Sequence, residues 1–182
     1  YQEADAALHR GLSEVLRELK QFDAALSSAR RAAELCPDDA AVMFTLAAAQ
    51  KGLGDEDAAA ASLQRVLDIA PDNADARFDL GNCLIHLKRF EEAVECFRQV
   101  EQLRPAHKEA ALRLGICLLE LKQYEATAEA YRRALVLTPK HPVALRDLGQ
   151  ALKKLHRPEE AVACLRRSLE KVTYALPSDR IS

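Results

Sequence analysis

Four prolines, Pro37, Pro71, Pro105 and Pro139, stand 34 residues apart. Leucine recurs in the same phase at Leu12, Leu46, Leu80, Leu114 and Leu148. A small residue follows each leucine: Ser13, Ala47, Gly81, Gly115 and Gly149. Thirteen residues after each leucine stands Ala25, Ala59, Ala93, Thr127 or Ala161. Columns kept in register over five cycles define an internal repeat. A repeat of this length is one supersecondary unit that buries its apolar surface by stacking on its neighbours.

Each cycle holds two helical patterns. Residues 74–87 place Phe78, Leu80, Leu84 and Leu87 at helical spacing, and residues 90–103 do the same with Phe90, Ala93, Val94, Phe97, Val100 and Leu103. Only Lys88-Arg89 separates them, which makes an antiparallel hairpin. Carried through the register, this predicts ten helices near 6–19, 22–35, 40–53, 56–69, 74–87, 90–103, 108–121, 124–137, 142–155 and 158–172. Each proline ends a second helix, because it lacks an N–H and clashes with the preceding turn. Asp38, Asp39, Asp72 and Asn73 then supply turn or N-cap chemistry. The small residue after the leucine lets two helices approach, with the alanine of the following helix as its expected partner. A larger side chain there overpacks the contact, at about 1–3 kcal/mol. Apolar residues make up 49% of the chain and charged ones 30%, which suits a folded helical chain rather than a disordered one.

The segments DLGNCLIHLKRFEEAVECFRQVEQLRP (79–105) and RLGICLLELKQYEATAEAYRRALVLTP (113–139) resemble the tetratricopeptide repeat, over residues 6 to about 173. The resemblance implies an all-α, right-handed α-solenoid of five 34-residue helix-turn-helix repeats at 6–39, 40–73, 74–107, 108–141 and 142–173, with a tail or linker at 174–182. There are departures. The first-helix aromatic of the family is replaced by His9, Met43, Arg77, Ala111 and Leu145. Glu56 stands where Phe22, Phe90 and Tyr124 stand elsewhere, and Ala29 where the other repeats carry Leu63, Phe97, Tyr131 and Leu165. Repeat five has Pro158 in the first turn of its second helix, where it is tolerated, and Thr173 where the terminal proline is expected. No polar capping helix follows, so the last helix is expected to leave Val162 and Leu169 uncovered.

The resemblance also implies that first helices line a concave groove. At the groove positions stand Phe44, Ala48, Phe78, Asn82, Leu112, Arg113, Ile116, Arg146, Gln150 and Lys153. These ten are the expected partner-binding residues. They suit a protein or peptide with apolar anchors and an acidic end, since aromatics and arginine dominate binding hot spots. The competing reading of the same apolar residues is packing between neighbouring helices. The family's carboxylate clamp is not matched: its second position is Ala7, Ala41, Asp75, Glu109 and Val143. The asparagine ladder of the sugar-transferase branch is not matched either.

Chemistry finds little support. There is no H-E-x-x-H, phosphate loop or dinucleotide fingerprint, and Gly52-Leu53-Gly54 reads as the turn of repeat two. Asp55-Glu56-Asp57 reads as a helix N-terminus. His107 and His141 read as turn residues, not metal ligands. Neither a catalytic residue nor a metal or cofactor is expected. The five cysteines form no C-x-x-C pair and read as core thiols of a reducing, cytoplasmic setting. The chain starts at Tyr1, so a removed targeting segment stays open.

Residues 1–105 carry 12 Lys+Arg against 19 Asp+Glu, and residues 106–182 carry 14 against 9. Without a concentrated basic surface, nucleic acid is not expected as a partner. No membrane insertion is expected, because no run is long and apolar enough. The leading expectation is an interaction scaffold and not an enzyme. A substrate-recognition arm of a larger enzyme, such as a transferase, and a homo-oligomer joined through solenoid ends are the alternatives. Because repeats one and two have lost apolar area, their amides should exchange faster than those of repeats three and four, which hydrogen exchange read by mass spectrometry checks.

Overall fold

The computed structural model describes residues 1–169. All regular structure among them is helical: α1 Gln2–Glu18, α2 Phe22–Leu35, α3 Ala40–Gly52, α4 Glu56–Ile69, α5 Ala74–His86, α6 Phe90–Leu103, α7 Ala110–Glu120, α8 Tyr124–Leu137, α9 Pro142–Lys154 and α10 Pro158–Leu169. These are five hairpins, α1/α2 to α9/α10. The expected end of repeat five at Thr173 and the tail at 174–182 lie outside the described residues. Two starts differ from expectation. Helix α1 begins at Gln2, four residues early, and α7 begins at Ala110, two residues late. Ahead of α7, His107 Nδ1 accepts from the Ala110 N–H at 3.2 Å.

The chain forms two compact units. The first, Tyr1–Leu103, holds α1 to α6, and the second, from Arg104 onward, holds α7 to α10. In the first unit α2 packs on α3 and α4 on α5. One cluster there joins Ala25, Ala29 and Ala49 with Leu16, Leu26 and Leu46. In the second unit α8 packs on α9 through Ala128, Tyr131, Ala144, Leu148 and Leu152, with Ala161 of α10 in the same cluster.

Caps recur with the repeat. Asp39 Oδ1 accepts from the Ala41 and Val42 N–H groups at 2.7 and 3.2 Å, and Asn73 Oδ1 from Ala76 N–H at 3.0 Å. His107 and His141 occupy the same register, and His141 Nδ1 accepts from Ala144 N–H at 3.2 Å. The two histidines expected as solvated turn residues are thus half-buried, and His141 is the N-cap of α9. Asp38 has a different partner, Arg65, at 3.1 Å.

The turn inside each hairpin is periodic too. Lys20, Lys88, Lys122 and His156 have φ between 56° and 59°, and Gly54 has φ 77°. These five positions follow one another at 34-residue intervals. The next N–H reaches back five residues in every case, from Gln21 to Leu16 O, Asp55 to Gln50 O, Arg89 to Leu84 O, Gln123 to Leu118 O and Arg157 to Leu152 O. This is the Schellman closure, which satisfies carbonyls left over at a helix end. A side chain in this left-handed region costs about 1 kcal/mol that glycine avoids.

The small-residue column works as expected, but its partner differs. A Cβ added to Gly81 would lie 2.7 Å from the Phe97 ring, and one on Gly115 would lie 2.7 Å from the Tyr131 ring. The side chain sixteen residues on comes nearest, and at Gly149 the column alanine is close as well, its Ala161 carbonyl 3.3 Å from an added Cβ beside Leu165 at 2.9 Å. At the equivalent positions Ala47 goes with Leu63 and Ser13 with Ala29, so a smaller partner goes with a larger small residue. Gly81→Ala should therefore lower stability by about 1–3 kcal/mol. In a Phe97→Leu background, which copies the Ala47–Leu63 pair, the same change should cost much less. Urea denaturation of the four proteins of this cycle measures the coupling.

Candidate functional site

First helices expose a wall in each unit. In the first unit α1, α3 and α5 surround an open cavity of about 420 Å³, lined by Arg10, Glu14, Ala41, Phe44, Thr45 and Asp75 among others. Phe44 is half-buried, with part of its ring facing this space. Thr45 Oγ1 donates to Ala41 O at 3.0 Å and lies 3.4 Å from Glu14 Oε1, which ties α3 to α1. Lys51 Nζ meets Asp79 Oδ1 at 2.9 Å and ties α3 to α5. Ala48, Phe78 and Asn82 are half-buried as well. Phe78 packs edge-on against Phe97, with ring centroids 5.6 Å apart, so it has a core role. Asn82 Oδ1 is buried without a hydrogen-bond partner.

In the second unit Leu112 packs against the α8/α9 cluster, and Arg113 and Ile116 are half-buried. Arg146, Gln150 and Lys153 are exposed on α9. Arg146 Nε donates to Asp147 Oδ1 at 2.8 Å. Asp147 is itself buried, and its Oδ2 accepts from Tyr131 O–H at 3.3 Å. The bond to Asp147 raises the Arg146 pKa, while burial, aided by the Asp147 charge, pushes the Tyr131 phenol far up. One carboxylate thus orients an exposed guanidinium from a buried seat. The ten expected residues fall into two groups, four on the first unit and six on the second.

Sequence reasoning passed over Glu14, Thr45, Lys51, Asp75 and Asp79 as site members. All stand at groove positions of first helices, and the letters give their charges, but which of them pair across helices could not be read from a column. A larger cavity, about 480 Å³, lies among α4, α5 and α6 and is lined by Arg77, Cys96 and Gln99 among others. Its Arg77 donates to Gln99 Oε1 and to Pro71 O, so the residue replacing the family aromatic works as a brace.

The surroundings of two cysteines disfavour the thiolate. Burial, with Glu56 nearby, pushes the Cys83 thiol up to about 12, and burial pushes Cys96 up to about 11. All five cysteines are free thiols. Among the described residues no three His, Cys, Asp or Glu side chains converge as metal ligands. No helix there is long and apolar enough to cross a membrane.

A tetratricopeptide-repeat family model matches residues 52–101 and 118–173, a second matches 88–142 and a third 6–49. The chain belongs to the tetratricopeptide-repeat family. Family membership makes this repeat array a protein-interaction scaffold. No curated protein matches it in sequence. Among solved structures it is similar to a crystal structure of MamA, at 19% identity and TM-score 0.89, over 97% of this chain and 98% of that one. It is also similar to MamA from Desulfovibrio magneticus RS-1, at 22% identity and TM-score 0.89, over 96% and 99%. A third neighbour is YrrB, described as a TPR protein with an unusual peptide-binding site, at 19% identity and TM-score 0.83, over 91% and 86%. At these identities the likeness is one of fold.

Glu56 shows how the array accommodates a carboxylate in an aromatic's place. Its Oε1 lies 2.6 Å from His86 Nδ1, joining α4 to α5. Burial acts to raise its pKa, but hydrogen bonds with His86 and Cys83 and the charges of His86 and Lys51 outweigh that, and the net shift is downward. A lowered folded-state pKa stabilises the fold above the unfolded value, and the gain disappears as pH falls through the folded one. Glu56→Gln should cost about 1 kcal/mol at neutral pH, and the gap to the parent should close as pH falls below the ordinary carboxylate range. Urea midpoints measured across pH check both limbs.

Proposed function

We propose that this chain holds a segment of another protein or a peptide against the first-helix walls, through Phe44, Ala48, Phe78 and Asn82 on the first unit and Leu112, Arg113, Ile116, Arg146, Gln150 and Lys153 on the second. The observation that carries the reading is the open cavity beside Phe44, where a partly exposed ring sits among Arg10, Glu14, Thr45 and Asp75. An aromatic anchor ringed by polar groups is the usual make-up of a binding hot spot. Similarity to YrrB, a TPR protein with a peptide-binding site, supports a peptide as the ligand class.

The second wall favours an acidic ligand. Residues 104–182 carry 15 Lys+Arg against 9 Asp+Glu, and Arg113, Arg146 and Lys153 stand among the candidates. The partner in this reading has apolar anchors and an acidic end, and the binding array runs over residues 1–173. Binding involves no catalytic step and no cofactor. Five free thiols fit a reducing, cytoplasmic setting.

Phe44 is the cleaner probe of the two aromatics, because Phe78 also packs on Phe97. Peptides selected on the parent protein from a random display library should bind Phe44→Ser about tenfold or more weakly, with unchanged helicity. An Arg113→Glu/Lys153→Glu variant should lose the preference for acidic peptides. Selected peptides that bind Phe44→Ser as tightly as the parent would remove the first-helix wall from the proposal.

A further inference from the structure

A first helix meets the second helix of the repeat before it through two columns. They are Val42 and Ala49 in α3, Ala76 and Cys83 in α5, and Ala144 and Ala151 in α9, all 2% exposed or less. Helix α2 covers the first pair, α4 the second and α8 the third. In α1 the same columns hold Leu8 and Val15, which are 73% and 53% exposed. Leu12 and Leu19 extend this exposed stripe. Spacings of four, three and four residues keep all four side chains on one helical face.

The matching surface is open on α10. In α4 and α8 the columns that press on the following first helix are Ala60, Leu63 and Leu67, and Ala128, Tyr131 and Leu135. Five of these six are buried, and Leu135 packs on the α8/α9 cluster. Their counterparts in α10 are Val162, Leu165 and Leu169, all exposed, Val162 by 46% and Leu169 by 64%. The chain therefore displays both halves of its own repeat-to-repeat contact, one on each unit.

We infer that these faces are one interface shared between copies: the α10 face of one molecule seats on the α1 face of the next, in the register by which α2 seats on α3. Charge selects this head-to-tail pairing over a like-with-like one. The unit bearing α1, residues 1–103, carries 11 Lys+Arg against 19 Asp+Glu. The unit bearing α10, residues 104–182, carries 15 against 9. Pairing α1 with α1 brings two acidic units together, whereas α10 on α1 brings opposite charges together. The contact is heterologous, so each docked copy presents a fresh face to another and the assembly grows as an open chain.

Sedimentation velocity over a dilution series tests this with two blocked variants, Leu8→Glu/Val15→Glu and Val162→Glu/Leu169→Glu. All four sites are exposed, and circular dichroism confirms that each variant keeps its helices. The parent's average mass should rise with concentration through successive multiples of the chain, and high salt should weaken the rise. Each variant alone should stay monomeric. An equimolar mixture should form a dimer and nothing larger, because one intact α10 face then meets one intact α1 face. A parent that stays monomeric at every concentration overturns the inference. So does a mixture that stays monomeric, and so does self-association lost in the α1 variant but kept in the α10 variant, which is the mark of α1 pairing with α1 or with another partner.

Discussion

A two-helix hairpin of this length has an apolar stripe on each side, and only one side faces its own second helix. The other needs a neighbour. That requirement explains why Ala49, Cys83 and Ala151 lie fully buried within their units, while the equivalent Val15 is open. It also explains the value of small residues in these columns. Two helices carrying Ala or Gly come close enough for a third side chain, such as Phe97 or Tyr131, to fill the remaining space.

Polar groups inside the array follow the same economy of contact. Where an aromatic is missing, a hydrogen-bonded group takes over. Glu56 reaches His86, and Arg77 reaches Gln99 and Pro71 O; where the other repeats carry leucine, Gln50 Oε1 instead accepts from Ser62 Oγ at 2.7 Å. Burying a polar group costs much less when it is paired. The exchange trades apolar area for directional contacts that fix one helix relative to the next. Asp147 does both jobs, taking the Tyr131 hydroxyl inside and holding the Arg146 guanidinium at the surface.

A surface made this way suits binding. Its walls combine half-buried apolar residues with charges held in place by pairs such as Lys51–Asp79. Ligand selectivity then rests on which side chains occupy a few first-helix positions, some of them exposed, as Arg146 and Lys153 are, and others shared with the core, as Phe78 and Leu112 are. The same separation leaves the outer faces of α1 and α10 free to act independently of the walls.

The sequence alone determined the repeat length, the ten helices, the terminating prolines and the family, because these are local or periodic properties. Hydrogen bonding within a helix, the bar on proline inside one and helical spacing of apolar residues all act over a few positions. It also named the ten wall residues, though only by analogy with the family. Tertiary structure decided what a periodic string cannot express: that the Phe97 ring fills the space at Gly81, that His141 caps α9, and that Phe78 is half core. It alone revealed the exposed Leu8–Leu19 stripe. Leu8 and Val15 in it sit in columns that are buried in α3, α5 and α9, and only the absence of a covering helix among the described residues distinguishes them. Burial depends on what lies across a contact, and the letters of one helix do not carry that information.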